Sequence, residues 1–243
     1  MTTEEFSNEF DTLVASYKRF KDFDTKEELD SLEFNEFEKS QFLTAAQEEI
    51  VLAIYKGEKL DGFESTEYAR RCLSSLIGNY DIILEEGAPL FLPQKNLLGY
   101  YIDFTTIPNL KDLMFITSEQ AIFNDTSLPC KNNTAVPVIP VRQDELHKIV
   151  KNPYRGPSTS KVIRVDAGYK SVELISKYKL STYFVDYLSK PTPIILAPLT
   201  DLTINGKSTE QTCSLDSILH RPILERAVVK AVLSKVGSTK EKK

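Results

Sequence analysis

The strongest constraint on the fold is the order of patterns in the C-terminal half of the chain. Three β-rich runs occupy residues 161–166, 172–178 and 183–196, and an amphipathic helical pattern follows at 221–232. Short runs of β-branched and aromatic residues bounded by Gly, Pro, Asn or Ser predict strands. The stripe Ile223, Ala227, Val228, Ala231 and Val232 predicts one buried side of the helix. We therefore expect the runs and the helix to form one compact unit.

Helical patterns fill the N-terminal part of the chain. Residues 3–19 carry apolar side chains at helical spacing, and Thr2 with Glu5 fits a capping box. The stripe consists of Phe6, Phe10, Leu13, Val14 and Tyr17. Residues 20–32 are charged and lack a stripe, so we interpret them as a linker or short turn.

A second and a third helix are predicted next. Asn35, with Glu38 three residues later, predicts the N-terminal cap of the second helix, and Gly57 its left-handed end. The expected apolar side is Phe42, Leu43, Ala46, Ile50, Val51 and Ile54. The third pattern covers residues 65–77 and ends at Gly78, with Tyr68, Cys72, Leu73 and Leu76 expected to face inward.

The middle of the chain changes to β character. Residues 81–84, 97–104 and 113–117 read as strands, and the polar stretch 124–135 as an exposed loop. Residues 136–141 are extended, but their two prolines confine them to a sheet edge or a bulge. A short helix is expected at 144–150.

These patterns predict an α+β fold. The N- and C-terminal helices pack as a bundle beside a central, mainly antiparallel β region. The expected domains are a helical domain of residues 1–80 plus 212–236, a β-rich domain of 81–211, and a basic tail of 237–243. Pro191 and Pro193 end the last strand in an extended arm.

Charge is distributed unevenly along the chain. The overall net charge is −5, but residues 1–60 carry 15 acidic and 7 basic groups, a net of −8. Residues 61–139 carry 10 acidic and 5 basic groups, and residues 140–243 carry 10 and 18, nets of −5 and +8. Three interpretations fit: an acidic face meeting a basic face of a neighbouring copy, a basic surface toward nucleic acid, or an ordinary solvated surface.

The sequence contains no clear catalytic or metal-binding constellation. None of its nine glycines forms a phosphate-binding loop, and the three cysteines lack disulfide or zinc spacing. The pair Cys213 and His220 could suggest a thiol nucleophile, but a packed cysteine and a residue at the start of a helix explain them better. The acidic pairs Glu48–Glu49 and Glu85–Glu86 are more simply solvated. We expect a protein that is not an enzyme and uses neither a cofactor nor a metal.

Cations and tyrosines alternate in the C-terminal half. Such mixing suits a surface that contacts phosphates. The set is Arg155, Lys161, Arg164, Lys170, Lys177 and Lys179 with Tyr154, Tyr169 and Tyr178. The whole chain is acidic and has no recognised DNA-binding motif, so contact with the acidic half of an adjacent copy is the favoured alternative.

Three segments carry a resemblance to a known family. They are the element order of residues 161–236, the helical segment 38–51, and the turn 152–157 that precedes 162–165. Together they resemble the head-to-tail ring, or adaptor, proteins of tailed bacteriophages, in particular those of crAss-like phages. The resemblance covers roughly residues 1–57 and 144–236, and residues 91–141 are not matched by it.

The resemblance implies a virion structural protein. It would form a ring in the head-tail connector between portal and tail, a conduit for genome passage, with about twelvefold cyclic symmetry. Implied partners are further copies, the portal protein, tail or other ring proteins and, transiently, genomic DNA, but no membrane. The alternative is a nucleic-acid-binding or DNA-packaging accessory protein. Without a signal peptide, synthesis in the host cytoplasm is expected.

Candidate interface residues come from two places in the chain. The run Ile194–Leu196 is too apolar for a free loop, so it must be covered by its own chain or by a neighbouring subunit. The predicted interface set is Lys190, Pro191, Pro193, Ile194, Ile195 and Leu196, with Arg155 and Arg164.

Overall fold

The helices near the two ends of the chain and the strands between them form separate units. The computed structural model describes residues 1–20, 33–57, 67–87, 90–91 and 96–240, without the side chains of 17–20 and 236–240. A helical unit comprises Met1–Leu76 and Pro191–Lys243, and a sheet unit comprises Ile77–Lys190. The fold is α+β, as predicted. That the chain divides into domains at the predicted limits stays a prediction.

Five α-helices lie in the described residues. They are α1 (Thr3–Phe20), α2 (Glu36–Lys56), α3 (Glu67–Leu73), α4 (Gln143–Lys151) and α5 (His220–Lys240). All except α4 belong to the helical unit. Most of the linker predicted at 20–32 lies outside the described residues, whereas α5 extends through residues 237–240 of the predicted tail.

The starts of α1 and α2 and the end of α2 are fixed by the residues that the sequence indicated. At α1, the Thr2 amide donates to Glu5 at 2.9 Å, and the Glu5 amide donates to Thr2 Oγ1 at 3.2 Å. At α2, Asn35 and Glu38 form the same reciprocal box, and Gly57 closes the helix with φ of 75°. Each box satisfies backbone donors that the first helical turn leaves without a partner.

The core of the helical unit is the seam along which α2 meets α5, with α1 packed alongside. It contains the predicted residues Leu43, Ala46, Ile50, Val51 and Ile54 of α2, and Ile223, Ala227, Val228, Ala231 and Val232 of α5. From α1, Phe6, Phe10 and Val14 are buried. Leu13 and Phe42 are only half-buried, while the side chain of Tyr17 is not described.

Seven strands in the described residues of the sheet unit form one sheet. They are β1 (Ile77–Ile83), β2 (Leu98–Asp103), β3 (Leu113–Phe123), β4 (Ala135–Val141), β5 (Val162–Gly168), β6 (Ser171–Ser176) and β7 (Leu180–Ser189). Their order across the sheet is β1-β7-β3-β4-β5-β6-β2. Every pairing is antiparallel except that of β4 with β5, which confirms a mainly antiparallel sheet.

Apolar residues lie on both sides of this sheet. One side holds the larger core, to which Ile82, Tyr100, Phe123, Tyr183 and Val185 belong. The opposite side of β5 and β6 is covered by α4, whose Leu146 and Ile149 pack with Ile163, Val165 and Ile175. Burial on both sides explains why all six residues of β6 are buried.

The third helix differs from its prediction. Helix α3 ends at Leu73, a 3₁₀ turn occupies Ser74–Leu76, and Gly78 lies inside β1 rather than after a helix. A Cβ at Gly78 would come within 2.7 Å of the Tyr187 ring on β7, so this glycine makes room for an aromatic ring. Tyr68, expected to face inward, is exposed, whereas Cys72, Leu73 and Leu76 are buried as predicted.

Strand β4 was predicted at a sheet edge or a bulge but lies in the middle of the strand order. Ala135–Pro137 pair with β3, and Val138–Val141 pair with β5. Each half therefore has one paired side in this register. A strand that changes neighbours midway can hold Pro137 and Pro140 because a proline nitrogen may point to the unpaired side.

Candidate subunit interface

The predicted interface arm lies within the helical unit. Ile194 and Ile195 are fully buried in the single chain, and Pro191, Pro193 and Leu196 are also buried. The sequence left open whether this apolar run is covered by its own chain or by a neighbouring subunit. Its burial places it in the intrachain core, so these five residues have little surface left for a second copy. An interface role for them stays a prediction.

Polar side chains of α2 hold the backbone of the arm. The Thr44 hydroxyl accepts from the Ile194 amide at 3.1 Å, and Ser40 Oγ accepts from the Leu196 amide at 3.0 Å. The Gln47 amide group donates to the Thr192 carbonyl at 3.1 Å. Ser40, Thr44 and Gln47 follow helical spacing on the buried side of α2, and this polar stripe was a signal that sequence reasoning missed.

Arg164 is also an internal residue rather than a surface one. Its guanidinium Nη1 donates to Glu119 Oε1, with side-chain exposures of 13% and 6%. Nη2 lies 3.5 Å from Asp166 Oδ1, and the Tyr183 hydroxyl is buried beside the pair without a hydrogen bond of normal geometry. Since Glu119 is on β3 and Arg164 on β5, this ion pair spans the place where β4 changes neighbours.

Burial changes the ionisation of this group of side chains. Desolvation raises the pKa of Glu119 to about 7, while the charge of Arg164 opposes that rise. Burial also raises the pKa of Tyr183. Glu119 Oε2 and Arg164 Nε lack hydrogen-bond partners among the described residues. The contacts within the pair therefore offset only part of the free-energy cost of removing the two charges from water.

Arg155 is the predicted interface residue that the structure leaves exposed. It follows Tyr154, which is 87% exposed, in a tight loop between α4 and β5. Asn152 Oδ1 accepts from the amides of Tyr154 and Arg155 at 2.9 and 3.1 Å, which fixes the loop. A Cβ at Gly156 would lie 2.8 Å from the Asn152 carbonyl oxygen, so a larger residue would not fit. Lys190, by contrast, is half-buried, and its backbone amide donates to the Asp112 carbonyl oxygen at 2.6 Å.

Part of the charge asymmetry seen in the sequence is neutralised inside the helical unit. Acidic groups of α1 and α2 form ion pairs with basic groups of α5. Arg226 lies 2.7 Å from Glu49, which Lys230 also contacts. Arg221 lies 3.5 Å from Glu9, and Lys235 lies 3.6 Å from Glu38. The acidic N-terminal and basic C-terminal segments thus meet within one chain.

A different surface in the sheet unit was missed by sequence reasoning. Residues directly opposite each other on paired strands share a face. Asp81, Phe184 and Gln120 form one such row across β1, β7 and β3, and Ile83, Thr182 and Ile122 form another. Their chain neighbours Ile82, Ala121 and Tyr183 lie in the larger core, so the two rows occupy the opposite side. We term this side of β1, β7 and β3 the open face.

The open face is apolar and acidic. Ile83 is 85% exposed, Asp81 and Gln120 are exposed, and Ile122 and Phe184 are half-buried. Asp186, two residues after Phe184 on β7, lies on the same side and is also exposed. The strands β1, β3, β4 and β7 contain no Lys or Arg. The sequence did not reveal this surface. Phe184 and Ile122 are apolar residues within strand patterns, and such residues are expected in a core.

His220 and Cys213 are the two residues that the sequence offered for a nucleophilic site. The two ring nitrogens of His220 lie 3.1 Å from the Met1 amino nitrogen and 3.2 Å from the Leu215 carbonyl oxygen. Burial raises the pKa of the half-buried Cys213 thiol, which disfavours the reactive thiolate. Across the described ranges no cluster of His, Cys, Asp or Glu could hold a metal ion. No described helix is long and apolar enough to cross a membrane.

The chain is similar to proteins described as ring proteins of a bacteriophage. A sequence model of the family described as "Phage tail ring protein 3/4" matches residues 1–243. The chain is 40% identical to "Ring protein 3" of Bacteroides phage crAss001 over 246 residues, covering all of both chains. It is 31% identical to "Ring protein 4/5" of the same phage over 240 residues, covering 94% of this chain and 91% of that one.

Proposed function

This chain belongs to the phage tail ring protein 3/4 family, and from that premise we propose that it forms a ring in the head-tail connector of a crAss-like phage. Copies associate head to tail into a closed ring between portal and tail, and the genome passes through the opening. The proposal rests above all on similarity to two ring proteins over nearly their whole lengths.

The proposed mechanism is geometric rather than chemical. Each copy is a subunit whose contact with the next copy, repeated around an axis, closes the ring. Because one phage carries two related ring proteins that both match this chain, we propose that rings of this fold stack on one another. Its partners would be further copies, the portal protein and other ring or tail proteins, with about twelvefold symmetry following the resemblance.

Electron microscopy of the purified full-length chain, with and without the portal protein, tests this function. We expect closed rings, alone or on the portal, and the protein in purified virions. A chain that remains monomeric, never co-sediments with the portal and is missing from virions would contradict the proposal. An unrelated soluble protein of similar size mixed with the portal is the control for nonspecific co-sedimentation.

A second candidate function is nucleic-acid binding or assistance in DNA packaging. One observation favours it: residues 146–163 include four Lys or Arg residues and no carboxylate. A monomer that binds duplex DNA with strong salt dependence would support this candidate. Rings that form without DNA and show no such binding would favour the connector.

A further inference from the structure

The open face has a counterpart elsewhere in the same unit. The segment 148–161, which we term the basic loop, comprises the last turn of α4 and the loop that leads into β5. It presents Lys148, Lys151, Tyr154 and Arg155 as exposed side chains, with Lys161 half-buried. Its sequence has no Asp or Glu, whereas β1, β3, β4 and β7 have no Lys or Arg.

We propose that the open face of one copy binds the basic loop of the next copy, and that this single contact repeats around the ring. The inference rests on the proposed function and specifies the two surfaces involved. Asp81 and Asp186 face the cations Lys151 and Arg155, and the Tyr154 ring packs on the apolar rows that contain Ile83 and Phe184. Two different surfaces on one chain give a head-to-tail contact, which is the kind that closes into a ring.

Charge and exposure favour this pairing over other assignments. Arg155 forms no ion pair with any described residue, so its charge is available to a partner. Tyr169, which is as exposed as Tyr154, sits at the tip of the β5–β6 hairpin near Asp166 and beside Lys170, where the charges are mixed. Opposite charges that meet at an interface orient the subunits and disfavour wrong contacts.

Exchange of charge between the two surfaces tests a direct contact. The face variant carries Asp81→Lys and Asp186→Lys, and the loop variant carries Lys151→Glu and Arg155→Glu. All four positions are exposed, so we expect both variants to fold as the unmodified chain does, as measured by circular dichroism. Each variant alone should raise the concentration needed for assembly at least about tenfold, because like charges then meet in the contact.

An equimolar mixture of the two variants should assemble again. In the mixture the positive face of one variant meets the negative loop of the other, and the negative face of the second meets the positive loop of the first. Sedimentation velocity measures this restoration. Assembly that neither variant weakens, or that the mixture does not recover, would overturn the contact.

A neutral probe separates packing from charge. Ile83→Asn should weaken assembly about as strongly as a charge variant, since Ile83 would be buried in the contact. The matched control is Tyr169→Asn, at a residue with the same 85% exposure on the hairpin tip, and it should leave assembly unchanged. Full assembly by the Ile83→Asn variant would also overturn the proposal.

The outcomes distinguish this contact from the proposed ring itself. Rings that resist all these substitutions would keep the connector function and remove the contact. If the unmodified chain sediments only as a monomer, Ile83→Cys with Arg155→Cys, in a Cys130→Ser background, should still give cross-linked oligomers at high concentration. Their absence would overturn the contact. A loop variant that loses affinity for duplex DNA but assembles normally would assign the loop to nucleic acid instead.

Discussion

Replacing Arg164 by methionine should destabilise the protein in a strongly pH-dependent way. The substitution keeps most of the side-chain volume but leaves the Glu119 carboxylate buried without its cation. Loss of one partner from a buried ion pair costs about 3–5 kcal/mol of unfolding free energy. The full cost is expected only where Glu119 is ionised, which is above its raised pKa.

The sign of the pH effect follows from the pKa of Glu119. Its value is about 7 in the folded chain against an ordinary value of 4.5. Between these values the folded state holds one more proton than the unfolded state, so the unfolding free energy falls as the pH rises, by about 1.4 kcal/mol per unit. This stabilisation is fully present below pH 4.5 and is lost by about pH 7, for a total of roughly 3 kcal/mol.

Removal of Arg164 raises the pKa of Glu119 further, because the cation opposes the effect of burial. The Arg164→Met variant should therefore lose most stability at pH 8 and recover much of it at pH 5, where the carboxyl takes up a proton. Urea unfolding followed by circular dichroism at both pH values measures the difference, since the chain lacks tryptophan for fluorescence. Glu119→Gln in the same background is the control and should remove the pH dependence. Equal losses at pH 5 and pH 8 would refute the assignment of Glu119 as the titrating partner.

Three further predictions concern the helical unit. Ile54→Ala should lower the unfolding free energy by roughly 2–5 kcal/mol, because it leaves a cavity on the α2–α5 seam. A loss below about 1 kcal/mol in urea unfolding would argue against that packing. Ile195→Asp should prevent folding of the isolated chain, since it places an unpaired charge among buried residues, and a cooperative melting transition of the variant would contradict this. Asn35→Ala should cost about 1 kcal/mol by removing the cap of α2, whereas Asn35→Asp should be nearly neutral, and equal thermal stability of the alanine variant would count against the capping role.

The helices could be predicted because their signals are local. The capping boxes at Thr2 and Asn35 and the left-handed Gly57 depend only on residues within one or two turns, and all three were confirmed. The buried stripes of α2 and α5 follow from spacing alone. Such features need no knowledge of what packs against the helix.

The errors arose where a distant part of the chain decides the structure. Gly78 signals a helix end by itself, but its role depends on the ring of Tyr187, more than a hundred positions away. The prolines of β4 are compatible with the middle of the sheet only because β3 and β5 each pair with half of that strand. Likewise, Ser40 and Thr44 accept hydrogen bonds from backbone amides only when the arm at Ile194 lies against α2.

The candidate interface shows the same division between local and distant information. Sequence reasoning identified a charge split and an apolar run, and left open for each whether it marks a contact between copies or is accounted for within the chain. In the folded chain, Glu9, Glu38 and Glu49 of α1 and α2 form ion pairs with cations of α5, so part of that split is balanced within one chain. Charges available to a partner are those left without a counter-ion, and exposed apolar surface is what the chain's own core does not cover. By these two criteria the open face and the basic loop, rather than the proline-rich arm, are the surfaces most suited to join one copy to the next.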